Sequence, residues 1–277
     1  MDARRVPAAV LAAAGDRRGG AVEVAALAVD GLLEVAADPP LLEEAVAVLL
    51  AGQPAMAPIW HLARAARAPD PAAALADLRR RLDADADAAV TAATAWLLHH
   101  LADNPGPVAT VSHSSLVDRV LTQAGPEAQA GPEAQAGREA RTGPACSVRR
   151  LAPRRGSLAE PAGGGPGPST APRGPADPAG PADPAGPIPV VGVVGADAVG
   201  PRAILNAVGT RELAEWVPTL VVATAIKLVP AEVFDRLAGP GFEVVPLDRL
   251  AAVVVGGEVV SPAEAGRRAA AVSGSRP

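Results

Sequence analysis

Three short polar clusters carry the chemistry this chain can perform, and each follows an apolar run. They are Ser112-His113-Ser114-Ser115, Gly195-Ala196-Asp197 with Asn206-Ala-Val-Gly209-Thr210, and Thr224-Ala-Ile-Lys227. Ser114-Ser115 and Gly209-Thr210 stand at predicted helix starts, where free backbone amides and hydroxyls either receive an anion or cap the helix. Asp197 either closes a turn or meets a ligand. Lys227 is the one lysine in a chain that otherwise uses arginine; its compact ammonium is either a solvated charge or a phosphate contact. His113 is either a base or a hydrogen-bonded loop residue. Taken together, the clusters point to an anion site, and specifically to phosphate. Metal chemistry is not indicated, because His99 and His100 are adjacent on a predicted helix, point in different directions, and have no third ligand near in sequence. Cys146 is the lone cysteine and has no evident partner.

The elements that position these clusters follow from periodicity. Apolar residues recur at helical spacing from Ala21 to Leu50, broken at Asp38-Pro39-Pro40, and again from Met56 to Ala66. Asp70-Pro71 starts a long helix that runs to about His100, and Asn104-Pro105-Gly106-Pro107 ends it. Val108 to Val111 then reads as a strand, followed by a polar turn and a helix through Leu121. After the segment 124–187, strands are predicted at Ile188–Val194, Thr219–Thr224, Glu243–Val245 and Val253–Val255. Helices are predicted at Gly209–Trp216 and Pro230–Leu237, and Leu247–Leu250 is helix-like. Strands apolar on both faces and alternating with helices indicate a parallel sheet covered by helices, whose ligands lie at the carboxyl ends of the strands. All three clusters fall at such ends.

The segment 124–187 repeats Ala-Gly-Pro-Glu-Ala-Gln and Gly-Pro-Ala-Asp-Pro-Ala and loses all periodicity, so it reads as a disordered insertion. An island from Cys146 to Leu158 reads as the trace of a strand and loop, and its arginines as a solvated run.

Composition narrows the function class. Of 277 residues, 49% are hydrophobic but only 2% aromatic, with no Tyr, so the cores rest on Ala, Val and Leu and offer no stacking platform for bases. A formal net charge of −5 supplies no field for a phosphate polymer. One cysteine excludes a disulfide scaffold. No apolar run is long enough for a membrane span and the start has no signal-type core, which reads as a cytoplasmic protein without membrane or nucleic-acid partners.

Gly195-Ala-Asp-Ala-Val199 followed by Asn206-Ala-Val-Gly-Thr210 resembles the G-A-D-A-V and N-K-V-G-T signature of the initiation-factor-2B alpha/beta/delta family. That family includes the methylthioribose-1-phosphate and ribose-1,5-bisphosphate isomerases. Ser114-Ser-Leu-Val-Asp-Arg-Val-Leu121 is similar to its S-S-x-V-x-x-(I/V)-L segment, and Gln53-Pro-Ala-Met-Ala-Pro58 to its R-P-T/S-M-A-P stretch. Phe242 to Pro246 and Gly256 to Pro262 look like its closing segment, and Arg18-Gly19-Gly20-Ala21 like its R-G-A turn. The resemblance implies an N-terminal helical domain over 1–105 and a Rossmann-like α/β domain over 106–123 and 188–277. It also implies that Arg18, Gly19, Asp197 and Lys227 border a phosphorylated sugar. No cofactor is implied. The use of Arg for Lys reads as a divergent bacterial member with a GC-rich source.

Departures from the pattern weigh on activity. The isomerases carry a Cys where this chain has Ser112, and an Asp where Arg202 or Ala203 falls; Ala207 replaces the motif lysine and Leu228 a Phe. Sugar isomerisation needs a group that exchanges protons near neutral pH, and an unassisted serine hydroxyl is a poor one. The expectation is a regulatory or catalytically degenerate protein that binds a phosphorylated sugar or nucleotide. The alternatives are an aldose-ketose isomerase using Ser112 or His113, and an assembly subunit that forms a homodimer or pairs with a related subunit.

Overall fold

The computed structural model describes residues 5–17, 19–111, 114–125, 148–150 (backbone only), 189–237, 239 and 241–272. Arg18, Ser112, His113 and nearly all of the insertion lie outside the described residues.

The chain begins as a helical assembly: α1 (Ala8–Gly15), α2 (Ala21–Glu34), α3 (Pro39–Gly52), α4 (Ala57–Ala66) and α5 (Pro71–Asp103). The last four match the apolar spacing; α1 was not anticipated. In α5 the Asp70 side chain accepts from the Ala73 amide and Pro71 occupies the first turn. The 33 residues of this helix span about 50 Å. Its first half, through Leu75, Leu78 and Leu82, packs into the core of α1–α4. Its second half, Ala86 to Leu101, packs on the sheet, so one helix joins both cores.

The main sheet has the order β2-β1-β3-β6-β8-β9. Its members are β1 (Val108–Thr110), β2 (Val148–Arg150), β3 (Val191–Gly195), β6 (Thr219–Val222), β8 (Ala252–Val255) and β9 (Glu258–Val260). All neighbours are parallel except β8 and β9. One face is covered by α5 and α6 (Ser115–Ala124), and the other by α7 (Thr210–Trp216) and α9 (Pro262–Ala271). The island in the insertion contributes β2, in register with β1.

A second, antiparallel sheet differs from the sequence expectation. It is built from β4 (Ala198–Val199), β5 (Ala203–Ala207) and β7 (Phe242–Pro246), so Glu243–Val245 does not join the parallel sheet. The helix predicted at Pro230–Leu237 is one turn, α8 (Ala231–Phe234). Leu247–Arg249 is a 3-10 turn.

Candidate functional site

Three consecutive parallel strands, β1, β3 and β6, end on the same edge of the sheet. Ser114 follows the first, Asp197 the second, and the 3-10 turn Ala225–Lys227 the third. The topology therefore gathers residues more than a hundred positions apart. Above this edge sits the α1–α2 loop, so the strand ends form the floor of a cleft and the helical part its roof.

The cleft has a volume of about 830 Å³ and is lined by Asp16, Arg17, Gly19, Gly20, Gln53, Ser114, Asp197, Asn206 and Lys227, with Met56 and Phe242 as apolar wall. Ser114 is the N-cap residue of α6 but its side chain makes no capping hydrogen bond. Gly195 permits its approach: a Cβ there would lie 2.8 Å from the Ser114 hydroxyl oxygen. Ser115 reaches toward Gly20, whose added Cβ would stand 3.2 Å from the Ser115 Oγ.

The roof is fixed by a residue the sequence-based set of site residues omitted. Gln53 is 6% exposed and its Nε2 donates to the Ala13 carbonyl at 2.8 Å and the Asp16 carbonyl at 2.6 Å. It sits in the Gln-Pro-Ala-Met-Ala-Pro stretch, which was the available signal. Gly52 lets α3 press this close, since a Cβ there would lie 2.5 Å from the Ala14 carbonyl oxygen. Asp16 Oδ1 in turn accepts from the Gly19 amide at 2.8 Å.

Two bonds bolt α4 to the floor. The Ala57 amide donates to the Asp197 carbonyl at 3.3 Å, and His61 Nε2 donates to the Leu228 carbonyl at 2.8 Å. Burial pushes His61 down to about 4, outweighing that hydrogen bond, so the ring is neutral near physiological pH.

Charge in the cleft is frustrated. Lys227 is 4% exposed, and burial pulls its pKa below the ordinary lysine value although Asp197 and Glu23 oppose this. Burial raises the Asp197 carboxyl above the usual carboxylate range, with Lys227 opposing. Among the described residues no hydrogen bond or ion pair within 4 Å holds the Lys227 Nζ. An ammonium held in a cleft without a fixed partner is set to meet an incoming anion.

Asn206, Gly209 and Thr210 are arranged differently from the expectation. Asn206 Nδ2 donates to the Thr210 hydroxyl at 2.9 Å, and that hydroxyl donates to the Ala207 carbonyl at 2.8 Å. Thr210 is fully buried, and Gly209 and Thr210 do not line the cleft. The Arg211 amide at the start of α7 is taken by the Glu243 carboxylate at 2.8 Å. That helix start already holds its anion. Arg202 is exposed, and neither it nor Ala203, the two residues the resemblance sets against the isomerases' carboxylate, lines the cleft.

A second cavity of about 450 Å³ lies behind the Lys227 turn, lined by His61, Arg64, Arg81 and Asp85 with Ala225 and Ile226. Burial raises the Asp85 carboxyl above the usual carboxylate range, with Arg81 and the Ala225 amide opposing. Among the described residues no group of three or more His, Cys, Asp or Glu is placed to hold a metal, and no helix is long and apolar enough to cross a membrane.

No family model matches the sequence, and no curated protein is similar to it at the sequence level. Solved structures are similar in shape. The translation initiation factor eIF-2B of Pyrococcus horikoshii OT3 superposes with a TM-score of 0.60 at 15% identity, over 92% of this chain and 96% of that one. The chain has the initiation-factor-2B fold. A chain of the tetrameric eIF2B-beta2-delta2 complex from C. thermophilum gives 0.57 at 14% identity, over 94% and 92%. The 5-methylthioribose 1-phosphate isomerase of Pyrococcus horikoshii OT3 gives 0.51 at 14% identity, over 97% and 88%. The factor 2B fold spans both the helical assembly and the sheet, so the cleft is a feature of the whole chain.

Proposed function

We propose that this protein binds a phosphorylated sugar or nucleotide in the cleft and acts as a regulatory or catalytically degenerate relative of the sugar-phosphate isomerases. The observation that carries the reading is Lys227: the chain's one lysine, buried in the cleft wall with no fixed partner among the described residues. Ser114 and Ser115 stand nearby as neutral donors, and Arg18 joins them by resemblance. Asp197 faces the sugar. Degeneracy follows from Ser112, Arg202 and Ala203, none of which exchanges a proton readily near neutral pH.

A thermal-shift screen with ribose phosphates and purine nucleotides tests the binding reading, since a ligand that binds only the folded state raises its melting temperature. No shift with any of them refutes it. Assays on ribose-1,5-bisphosphate and methylthioribose-1-phosphate test degeneracy; turnover lost in Ser112→Ala or His113→Ala establishes the isomerase alternative instead.

The assembly-subunit reading has its own support. Trp216 at the end of α7 is 60% exposed, with Val208 and Val244 of the neighbouring loop and β7 also exposed. Large apolar side chains at the surface suit a homodimer or a related subunit. Sedimentation of wild type and Trp216→Glu distinguishes a dimer through this face from a monomer.

A further inference from the structure

A desolvated lysine amine lining a small-molecule cleft is a nucleophile toward carbonyl carbon. Lys227 meets each condition. It is 4% exposed, it lines a cleft of about 830 Å³, and among the described residues no hydrogen bond or ion pair within 4 Å holds its nitrogen, while Asp197 and Glu23 act on it from farther away. The volume falls within the range of about 300 to 1,000 Å³ typical of small-molecule sites and admits an open-chain pentose phosphate. Burial disfavours the charged form of both groups, lowering the pKa of Lys227 and raising that of Asp197, and both line the same cleft. The other charged groups facing the cleft are Asp16 and Arg17, with Glu23 close enough to act on Lys227.

We infer that Lys227 forms a reversible imine with the open-chain aldehyde of a phosphorylated sugar, with Asp197 supplying the proton. The inference rests on the cleft being the ligand site and narrows the ligand to one bearing a free carbonyl. The unprotonated Nζ adds to the carbonyl carbon, the C–O π pair moves to oxygen, and the ammonium proton transfers to that oxygen to give a carbinolamine. The Asp197 carboxyl then protonates the hydroxyl. The C–O bond breaks, water departs, and the nitrogen lone pair closes a C=N bond. A protonated iminium beside the Asp197 carboxylate results, with no oxidant or reductant consumed.

A single lysine makes the test clean. The full chain is incubated near neutral pH with glycolaldehyde or with D-ribose 5-phosphate, each with sodium cyanoborohydride, and the reduced adduct is mapped by peptide mass spectrometry. Nα-acetyllysine is the reference amine. A lowered pKa raises an amine's unprotonated fraction, so Lys227 labels faster than the reference, and Lys227→Arg labels only at the chain's α-amine. Labelling of Lys227 at or below the reference rate with both aldehydes overturns the inference, and mapping on wild type decides this whether or not the variant folds. The two readings separate cleanly. Rapid glycolaldehyde labelling without stabilisation by ribose 5-phosphate keeps the amine chemistry and refutes the phosphate site. Stabilisation by ribose 5-phosphate with no adduct at Lys227 does the reverse.

Discussion

His61 on α4 donates from Nε2 to the carbonyl of Leu228, one residue beyond Lys227, at 2.8 Å. The helical part of the chain thereby grips the loop that carries the cleft's only lysine.

This grip gives a pH signature. Burial depresses His61 to about 4 in the folded state, whereas an unfolded histidine titrates near about 6.5. Between these values the unfolded state binds the extra proton, so stability is fully present above about 6.5 and falls as pH drops toward about 4, by at most about 3 kcal/mol. The half-buried Asp197 and Asp85 carboxyls are raised and work in the opposite sense, which makes the comparison with a variant necessary. His61→Gln, which retains an amide donor and does not titrate, melts with a shallower acid slope than wild type. Equal slopes remove His61 as the cause.

Lys227→Ala weakens a phosphorylated ligand about ten- to a hundredfold, because a charge-assisted contact contributes about 1.5 to 3 kcal/mol. The affinity of the wild type also declines as pH rises and Lys227 loses its proton, while that of Lys227→Ala stays level. Calorimetric titration across pH measures both. Equal affinities for the two proteins exclude Lys227 from the site.

Gln53→Ala strips the buried Ala13 carbonyl and the half-buried Asp16 carbonyl of their donor, which costs about 1 to 3 kcal/mol. The loss shows first in the roof of the cleft. Amide exchange over 16–21 accelerates more than exchange in α5 does, and a uniform change across the chain contradicts this account.

Gly195→Ala places a methyl 2.8 Å from the Ser114 Oγ and 2.9 Å from its Cβ, so the start of α6 must move away from β3. Ligand affinity falls by a larger factor than folding stability does. A variant that melts like wild type and binds like wild type shows that the approach of Ser114 to Gly195 is immaterial.

Much of the architecture was legible because its signals are local. The Pro39-Pro40 break, the Asp70-Pro71 cap and the apolar spacing located α2 to α5, and the strand-helix alternation located Ser114, Asp197 and Lys227 at strand ends. Helix α1, Ala-Ala-Val-Leu-Ala-Ala-Ala-Gly, has no polar face and therefore no period to detect. The small sheet escaped because pairing of β5 with β7 joins segments some forty residues apart, and β4 is only two residues long. Gly209 and Thr210 looked like half of a phosphate cradle because a helix start is locally the same whether it faces a ligand or a protein carboxylate. What separates the two cases is Glu243, which lies 32 residues from Arg211 and reaches its amide only after β7 has paired.

The turn Ala225–Lys227 has two sides. Ala225 and Ile226 border the rear cavity while Lys227 borders the cleft, so the partition between the two chambers is a single 3-10 turn of three residues. Anything lodged behind that partition leans on the same short piece of backbone that aims the amine in front. A ligand that shifts this turn from one side changes the work of filling the other side, by the same amount in either order.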